Sequence, residues 1–169
     1  KKKQEGVDVS LSARSAGTCM TGGSLTESIV FETTRYMNHV TDVTDKEAKS
    51  EPGVYYRDFE PHTLEKGWIM PSYPASRKLA AIGGIISNNS GEEKTLIYGK
   101  TERYIKELEV VYANGETDTL RALNHDELQA KINSGTEGGR IHKEMYDLIT
   151  TNYEKIMSAK PTVSKNSSG

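Results

Sequence analysis

Residues 14–25, RSAGTCMTGGSL, form a stretch whose residue types and spacing suit the binding of an anion. Glycine lets a backbone approach a ligand closely and adopt positive φ, and successive free N–H groups in such a turn form a concave nest for anions. The glycines are Gly17, Gly22 and Gly23, and hydroxyl donors come from Thr18, Thr21 and Ser24. If the loop binds a ligand, this pattern favours a diphosphate. Considered alone, the loop is equally well interpreted as a plain surface turn.

This loop, called the first loop below, differs from the two commoner phosphate-binding sequences. A Walker-type loop has Gly-Lys-Ser or Gly-Lys-Thr directly after its glycines, whereas the first loop continues Gly22-Gly23-Ser24. A Rossmann G-x-G-x-x-G opens a long helix, whereas this loop leads into another predicted strand at residues 28–31. The sequence therefore favours a dinucleotide held by a fold other than the Rossmann fold.

A second polar surface with small side chains lies between residues 74 and 91. It combines Pro74-Ala75-Ser76, Ile82-Gly83-Gly84 and Asn88-Asn89-Ser90-Gly91. Two such surfaces facing one another can hold a long nucleotide cofactor from both sides. The alternative is that Gly83 and Gly84 only let a helix pack tightly against a strand.

Other residues give weaker chemical signals. Arg77 lies near the second surface and can meet a substrate carboxylate through a bidentate pair, with a surface salt bridge as the favoured alternative. The four histidines, His39, His62, His125 and His142, show no ligand spacing, so we predict no metal. Cys19 is the only cysteine, which excludes an intrachain disulfide and suits a reducing cytoplasm.

The elements that must position the loops follow from hydrophobic periodicity and turn residues. Alternation predicts a strand at 7–11, and short apolar runs predict extended segments at 28–31, 36–43 and 68–70. A helix is predicted near 54–66 with an interruption at Pro61, and a partly helical stretch at 76–86.

The C-terminal third gives the clearest pattern. A hairpin is predicted over 105–121, with Asn114-Gly115 as a two-residue turn that needs positive φ at both positions. Asn124 with Glu127 predicts a capping box for a helix at 126–132. A flexible joint is expected at 133–139, followed by an amphipathic helix whose apolar stripe contains Ile141, Met145, Leu148, Tyr153 and Ile156.

Composition limits the classes of function. The 169 residues suit one domain, and the hydrophobic fraction of 34% predicts a thin core that another part of a larger protein would help to cover. A net charge of -2 without a basic patch argues against nucleic-acid binding, and the apolar runs are too short to span a membrane.

Five short motifs in order resemble a known family. They are R-x-A-G-T-x-x-x-G-G-S at 14–24, Y-P-A-S at 73–76, I-G-G-x-x-x-N-N-S-G at 82–91, E-K-T-L-x-Y-G-K-T at 93–101 and L-E-V-V at 108–111. This order resembles the FAD-binding domain of the vanillyl-alcohol oxidase / p-cresol methylhydroxylase (PCMH) type. Within that type it looks closest to the FAD-linked oxidases that include D-lactate dehydrogenases and glycolate oxidase subunits. The resemblance covers residues 7–169.

The resemblance implies an α+β fold, with a mixed or antiparallel sheet and flanking helices, and a set of FAD-binding residues. The first loop would wrap the diphosphate, through Arg14, Ser15, Ala16, Gly17, Thr18, Cys19, Met20, Thr21, Gly22 and Gly23. The second surface would lie along the diphosphate, ribityl chain and flavin, through Pro74, Ala75, Ser76, Ile82, Gly83, Gly84, Asn88, Asn89, Ser90 and Gly91. The chain after Tyr98 and Gly99 would run beside the nucleotide, near Val110. Tyr98, Tyr104 and Tyr112 are candidates for flavin stacking, with ordinary packing as the favoured alternative.

Two departures from the family pattern carry expectations. Glu92 stands where a glycine is usual, and a carboxylate near a diphosphate is unfavourable unless it points to solvent. Some members of the family bond FAD covalently through a histidine in the first loop. Because no histidine stands there, noncovalent FAD is expected.

The family pattern also predicts how the chain is organised. Residues 1–122 are expected to form a partial FAD-binding domain that lacks its N-terminal strand–helix–strand unit. Residues 123–169 are expected to be its helical continuation, ending before the C-terminal cap domain that carries most catalytic residues in this family. The chain is therefore expected to be a fragment that is inactive by itself, with a missing cap domain or partner subunit.

Two functions remain open at this stage. The first is an FAD-dependent dehydrogenase or oxidase that acts on a small 2-hydroxy acid such as D-lactate or glycolate, in the cytoplasm or peripherally attached to a membrane. The second is a non-catalytic flavin-binding or interaction module of a redox complex. No catalytic residue can be named from the sequence.

Overall fold

The elements of the N-terminal part are short, because Gly, Pro and polar residues interrupt each apolar run. The computed structural model describes residues 5–163, apart from Val7 and Glu93. These residues form two compact units, the first ending at Tyr104 and the second beginning at Ile105. In each unit the strands come first and the helices follow, which confirms the α+β class.

The first unit begins with two parallel strands, β1 (Leu11–Arg14) and β2 (Ile29–Glu32), paired from Leu11↔Ile29 to Arg14↔Glu32. Parallel strands need a connection of about a dozen residues or more, and here the first loop provides it. The prediction of a strand at 7–11 was wrong. Val7 lies outside the described residues, and residues 8–10 are not paired as a strand, because the register with β2 starts only at Leu11.

Two further strands, β3 (Val40–Thr41) and β4 (Lys49–Ser50), form a small antiparallel pair. Of the extended segment predicted at 36–43, only these two residues of β3 are strand, and residues 34–36 form a turn. The chain then turns at Pro52-Gly53, where Gly53 N–H donates to the Met37 carbonyl over 2.8 Å. This bond holds the turn against the segment that follows β2.

Helix α1 (Tyr56–Leu64) contains Pro61 and continues through it, so the predicted interruption was wrong. Proline removes one backbone donor, and a nine-residue helix tolerates that loss when its apolar face is buried. Tyr56 and Phe59 provide that face, and the Tyr56 hydroxyl donates to the Met70 carbonyl over 2.7 Å.

The core of the first unit lies between α1 and helix α2 (Ile82–Ser87). It comprises Val54, Tyr56, Phe59, Met70, Tyr73, Ala80, Ile82 and Ile85. Residues 68–70 were predicted as a strand but have no strand partner; Trp68 instead donates its indole N–H to the Thr44 carbonyl over 2.8 Å. The partly helical stretch predicted at 76–86 is a turn over 75–79 followed by α2. Helix α3 (Thr95–Tyr98) and a 3-10 helix (Thr101–Tyr104) complete the unit.

The second unit is a hairpin followed by three helices. Strands β5 (Glu107–Val111) and β6 (Thr117–Arg121) pair as predicted. Their turn differs from the prediction. Tyr112 N–H donates to Glu116 O, so the loop contains three residues, 113–115. Gly115 has a positive φ of +90°, whereas Asn114 does not have positive φ. A three-residue loop with glycine in the left-handed conformation is the next commonest hairpin connection.

Helix α4 (His125–Ile132) carries the predicted capping box of Asn124 and Glu127. Helix α5 (Glu137–Thr151) begins inside the predicted joint, because Thr136 caps it by accepting from Gly139 N–H. The predicted single amphipathic helix is divided at Asn152, where helix α6 (Tyr153–Ala159) begins. Among the helices that the structure describes, none is long and apolar enough to cross a membrane.

Candidate functional site

The first loop leaves the end of β1 at Arg14 and turns sharply at Gly17. Gly17 has a φ of +70°, as the sequence predicted for this position. The Arg14 guanidinium lies directly over it, since a Cβ atom on Gly17 would fall 2.5 Å from Arg14 Nη2. Arg14 therefore belongs to a strand rather than to the loop proper, but its side chain reaches back over the loop.

The middle of the first loop directs several hydrogen-bond donors at one point. The Thr21 hydroxyl lies 2.8 Å from the Cys19 sulfur. Together with the backbone N–H groups of Thr21, Gly23 and Gly22, it lowers the pKa of the Cys19 thiol, and the Thr21 hydroxyl is the largest cause. Gly22 has a φ of +76° in this turn. The donors form the kind of nest that stabilises an anion, here around an exposed sulfur.

The remaining residues of the first loop lie at its surface. Thr18, Met20 and Gly23 are exposed, and Ala16 is half-buried. Met20 has no cover at all from the described residues, with a relative exposure of 102%. A large apolar side chain in that position is available to contact a ligand or another part of a protein.

Pro52 joins the first loop to the second surface. Its carbonyl oxygen accepts from the Ser15 hydroxyl over 2.7 Å and from Gly83 N–H over 2.8 Å. A Cβ atom on Gly83 would lie 2.6 Å from Pro52 Cβ, so Gly83 is a packing glycine, in agreement with the alternative interpretation. The first loop and the start of α2 are therefore held side by side.

Gly84 differs from its neighbour, because close packing does not require a glycine there. It is exposed, and a Cβ atom on it would make an ordinary contact of 3.6 Å with Ser15 Cβ. Ile82 is buried in the core and donates its N–H to the Val54 carbonyl over 2.8 Å. The open surface next to the first loop is thus formed by Ser15 and Gly84.

The four residues after α2 serve mainly to anchor the chain. The Ser90 carbonyl accepts from the hydroxyls of Ser72 and Thr101, over 2.9 and 2.7 Å, and all three residues are buried. Asn89 has a φ of +44°, and its side-chain oxygen accepts from Glu102 N–H over 3.0 Å. Asn88 is exposed and Gly91 is half-buried.

The other predicted residues of the first unit lie on a turn or at the end of α3. Ala75 is exposed, whereas Pro74 and Ser76 are half-buried in a turn that the bond from Arg77 N–H to Pro74 O closes over 2.9 Å. Tyr98 is 45% exposed, and its carbonyl accepts from the Tyr104 hydroxyl over 2.8 Å. Gly99 follows it with a φ of +81°. Tyr98 therefore lies partly at the surface.

Three further predictions have clear positions. Glu92 is exposed, so its carboxylate avoids the conflict with a nearby diphosphate. Arg77 forms the expected ion pair with Glu60, over 3.4 Å. Val110 lies on β5 in the second unit, opposite Asp118 and half-buried.

Sequence reasoning placed Cys19 among the residues of the first loop, but it missed Pro52 and the hydrogen bond between the Cys19 sulfur and Thr21. Glu51-Pro52-Gly53 was interpreted only as punctuation between elements, although a buried turn is also where a carbonyl can serve two donors. The signal for Cys19 was present, because Thr21 follows it by two residues and two glycines follow Thr21.

Comparison with known proteins matches residues 5–121 to a family described as an FAD binding domain. Glycolate oxidase subunit GlcD of Bacillus subtilis (strain 168) is 38% identical over 102 residues, which are 59% of this chain and 21% of that protein. D-2-hydroxyglutarate dehydrogenase of Escherichia coli (strain K12) is 24% identical over 85% of this chain and 15% of its own length. D-lactate dehydrogenase of Archaeoglobus fulgidus is 30% identical over 60% of this chain and 23% of its own length.

A solved structure of alkyldihydroxyacetonephosphate synthase superposes on 70% of this chain and 23% of that protein, with a TM-score of 0.59 and 22% identity. At that identity the likeness concerns the fold alone. The chain spans less than a quarter of the length of each of these similar proteins.

Proposed function

Because the chain belongs to this FAD binding domain family, we propose that its first loop and second surface bind FAD noncovalently. The first loop contributes Arg14 to Gly23, and the second surface contributes Pro74, Ala75, Ser76, Ile82, Gly83, Gly84, Asn88, Asn89, Ser90 and Gly91. Tyr98, Gly99 and Val110 complete the proposed set. The role of Val110 rests on the resemblance alone.

The observation that carries this proposal is the convergence of donors in the first loop. The Thr21 hydroxyl lies 2.8 Å from the Cys19 sulfur, and together with the N–H groups of residues 21–23 it lowers the pKa of that thiol. The same donor set fits a diphosphate, and the Arg14 guanidinium beside Gly17 adds a positive charge at the edge of the loop. Backbone dipoles and one arginine would therefore meet the phosphate charge.

The second surface supplies a face without large side chains. A Cβ atom on Gly84 would lie at van der Waals distance from Ser15, and the Pro52 carbonyl fixes both segments. An extended ligand leaving the first loop would pass over Gly84 towards exposed Asn88. Gly83 and Ser90 would act by holding the backbone in place, since their own contacts are used in packing.

Noncovalent attachment is proposed because residues 14–23 contain no histidine. Acid precipitation of the FAD-loaded protein should release the yellow colour to the supernatant. A pellet that keeps the colour would contradict noncovalent binding while leaving FAD binding itself intact.

For the full-length protein we propose an oxidoreductase that acts on a small 2-hydroxy acid, in the cytoplasm. FAD would supply a flavin that accepts a hydride from the substrate. The names of the similar proteins support this class, since they act on glycolate, D-lactate or D-2-hydroxyglutarate. Residues 1–122 would be part of the FAD-binding domain and residues 123–169 its helical continuation, with substrate-binding residues supplied by a cap domain or partner subunit.

The substrate class is tested by assaying the full-length protein with each of the three 2-hydroxy acids and a dye as electron acceptor. We expect dye reduction that depends on one of them and on FAD. Tight FAD binding without reduction by any of the three would contradict the substrate class and favour a non-catalytic flavin module.

A further inference from the structure

A basic cleft lies on the side of α1 in the first unit, formed together with the turn that follows Tyr73. It has a volume of about 190 Å³ and is lined by Tyr56, Arg57, Glu60, Arg77 and Lys78. That volume is enough room for one tetrahedral anion and part of the molecule that carries it.

Two tyrosine rings hold the arginines of the cleft in position. The Arg57 guanidinium lies 4.1 Å from the centre of the Tyr55 ring, and its Nη1 donates to the Lys78 carbonyl over 2.5 Å. The Arg77 guanidinium lies 4.8 Å from the centre of the Tyr73 ring. Stacking on an aromatic face orients a guanidinium and leaves its edge free to donate hydrogen bonds.

The charges that line the cleft do not cancel. Arg57, Arg77 and Lys78 contribute three positive charges and Glu60 one negative charge, which leaves two positive charges. Glu60 meets Arg77 only at 3.4 Å, and Asp58, outside the lining, lies 3.8 Å from Arg57 Nε. The Tyr56 hydroxyl adds no charge, because burial raises its pKa.

We propose that this cleft binds a dianionic oxyanion, a phosphate group, at a site separate from the first loop. A guanidinium group donates paired hydrogen bonds to phosphate oxygens, and the ammonium of Lys78 adds a third charged donor. The opposing charge of a dianion equals the net charge of the lining. This site does not depend on whether the first loop binds FAD.

The test is a titration of the ¹⁵N-labelled 169-residue chain with inorganic phosphate at constant ionic strength, followed through the arginine Nε–H resonances. We expect saturable shifts at Arg57 and Arg77. Arg35 is the matched reference, because it also stacks on a tyrosine, 5.2 Å from the Tyr36 ring, but does not line the cleft. Arg14 reports phosphate in the first loop, so shifts confined to Arg14 would overturn the proposal without affecting the proposed FAD site.

Variants show whether each side chain strengthens or weakens phosphate binding. Arg57→Gln and Arg77→Gln should each weaken phosphate binding by at least about tenfold, equal to ~1.4 kcal/mol, whereas Arg35→Gln should leave it unchanged. Glu60→Gln should tighten binding, because it removes the one carboxylate that faces the anion. Lys78 is exposed, so Lys78→Gln offers a weakening variant that does not disturb the core. Absence of saturable shifts at Arg57 and Arg77, or unchanged affinity in both arginine variants while they remain folded, would overturn the proposal.

Discussion

Cys19 makes the electrostatics of the first loop measurable. The Thr21 hydroxyl and three backbone N–H groups lower the pKa of its thiol, and the sulfur is exposed. A thiolate reacts with alkylating agents and a thiol does not, so the rate of alkylation reports the donors around the sulfur. The pKa of an ordinary cysteine is about 8.5.

We predict that alkylation of Cys19 by iodoacetamide persists to lower pH than alkylation of an ordinary cysteine. Thr21→Ala should shift the midpoint of the rate profile upwards, because it removes the largest cause of the lowered pKa. Thr18→Ala is the control, since within the described loop Thr18 is not among the donors to the sulfur. Equal midpoints for the parent and Thr21→Ala would contradict the nest.

The glycines of the first loop and of α2 show which properties of single residues a sequence can predict and which it cannot. Positive φ at Gly17 and Gly22 was predictable, because glycines among small polar residues in a loop indicate such conformations. The difference between Gly83 and Gly84 was not predictable. It depends on Pro52 and Ser15, which are distant in sequence and approach only in the folded chain.

The distance along the chain between interacting residues also explains which elements were predicted well. The strands of the hairpin and the capping box of Asn124 follow from neighbours within a few residues, and both were found. The limits of β1 follow from its register with β2, fifteen residues away along the chain, and they were missed. Residues 68–70 looked like a strand by composition but have no partner strand: the Trp68 backbone N–H donates to the Thr63 carbonyl, and the Met70 carbonyl accepts from the Tyr56 hydroxyl.

The hairpin turn can be tested by separate substitutions of Asn114 and Gly115. Gly115→Ala should lower the free energy of unfolding by roughly 1–2 kcal/mol, because its φ of +90° strains any residue with a side chain. Asn114→Ala should have a smaller effect, since Asn114 is not among the described residues with positive φ. Amide exchange in β5 and β6 measures the free energy of unfolding of both variants. Equal decreases in the two variants would indicate the two-residue turn instead.

Asp118 links β6 to α4 and to the start of the turn. Its carboxylate accepts from Lys131 Nζ over 2.5 Å and from the Tyr112 hydroxyl over 2.8 Å. These bonds, that from Lys131 first, lower the pKa of Asp118. Because the pKa of this carboxyl group is lower in the folded state than its value of about 3.9 in the unfolded state, these bonds stabilise the fold fully above the unfolded-state pKa. The stabilisation is lost as the pH falls through the pKa of the folded state.

We therefore predict that protection of the β5 and β6 amides decreases as the pH falls from 5 towards 2, after correction for the intrinsic exchange rate. Asp118→Asn should start with less protection and lose less of it over this range. Asp126→Asn, at an exposed carboxylate on α4, is the control and should behave like the parent. If Asp118→Asn lost as much amide protection at low pH as the parent, this role of Asp118 would be contradicted.

Several large apolar side chains are exposed in both units of the molecule. Three consecutive residues of β2, Ile29, Val30 and Phe31, are 52%, 43% and 49% exposed, and Met145, Leu148, Tyr153 and Ile156 on α5 and α6 are also exposed. The chain spans 15–23% of the length of the similar dehydrogenases and oxidase subunit. These findings agree with the expectation that another part of a larger protein covers such faces.

We predict that the 169-residue chain alone shows little or no oxidation of D-lactate or glycolate, even with FAD bound. No described residue in the first loop or the second surface is a histidine or a carboxylate placed to act as a general base. Turnover with a dye acceptor measures this directly. Robust turnover by the chain alone would contradict the need for a cap domain or partner subunit.

The central claim, that the first loop holds FAD, is tested most directly by fluorescence titration of FAD with three proteins. These are the parent, Gly17→Ala and Gly67→Ala. Both glycines have positive φ, +70° and +79°, so both substitutions strain the backbone, but only Gly17 lies in the first loop.

We expect the parent to bind FAD saturably, Gly67→Ala to bind it like the parent, and Gly17→Ala to bind at least about tenfold more weakly. The added Cβ would displace the Arg14 guanidinium and alter the loop at its first turn. Circular dichroism of each variant establishes that it is folded. No saturable binding by the parent, or equal affinity of a folded Gly17→Ala, would contradict the account.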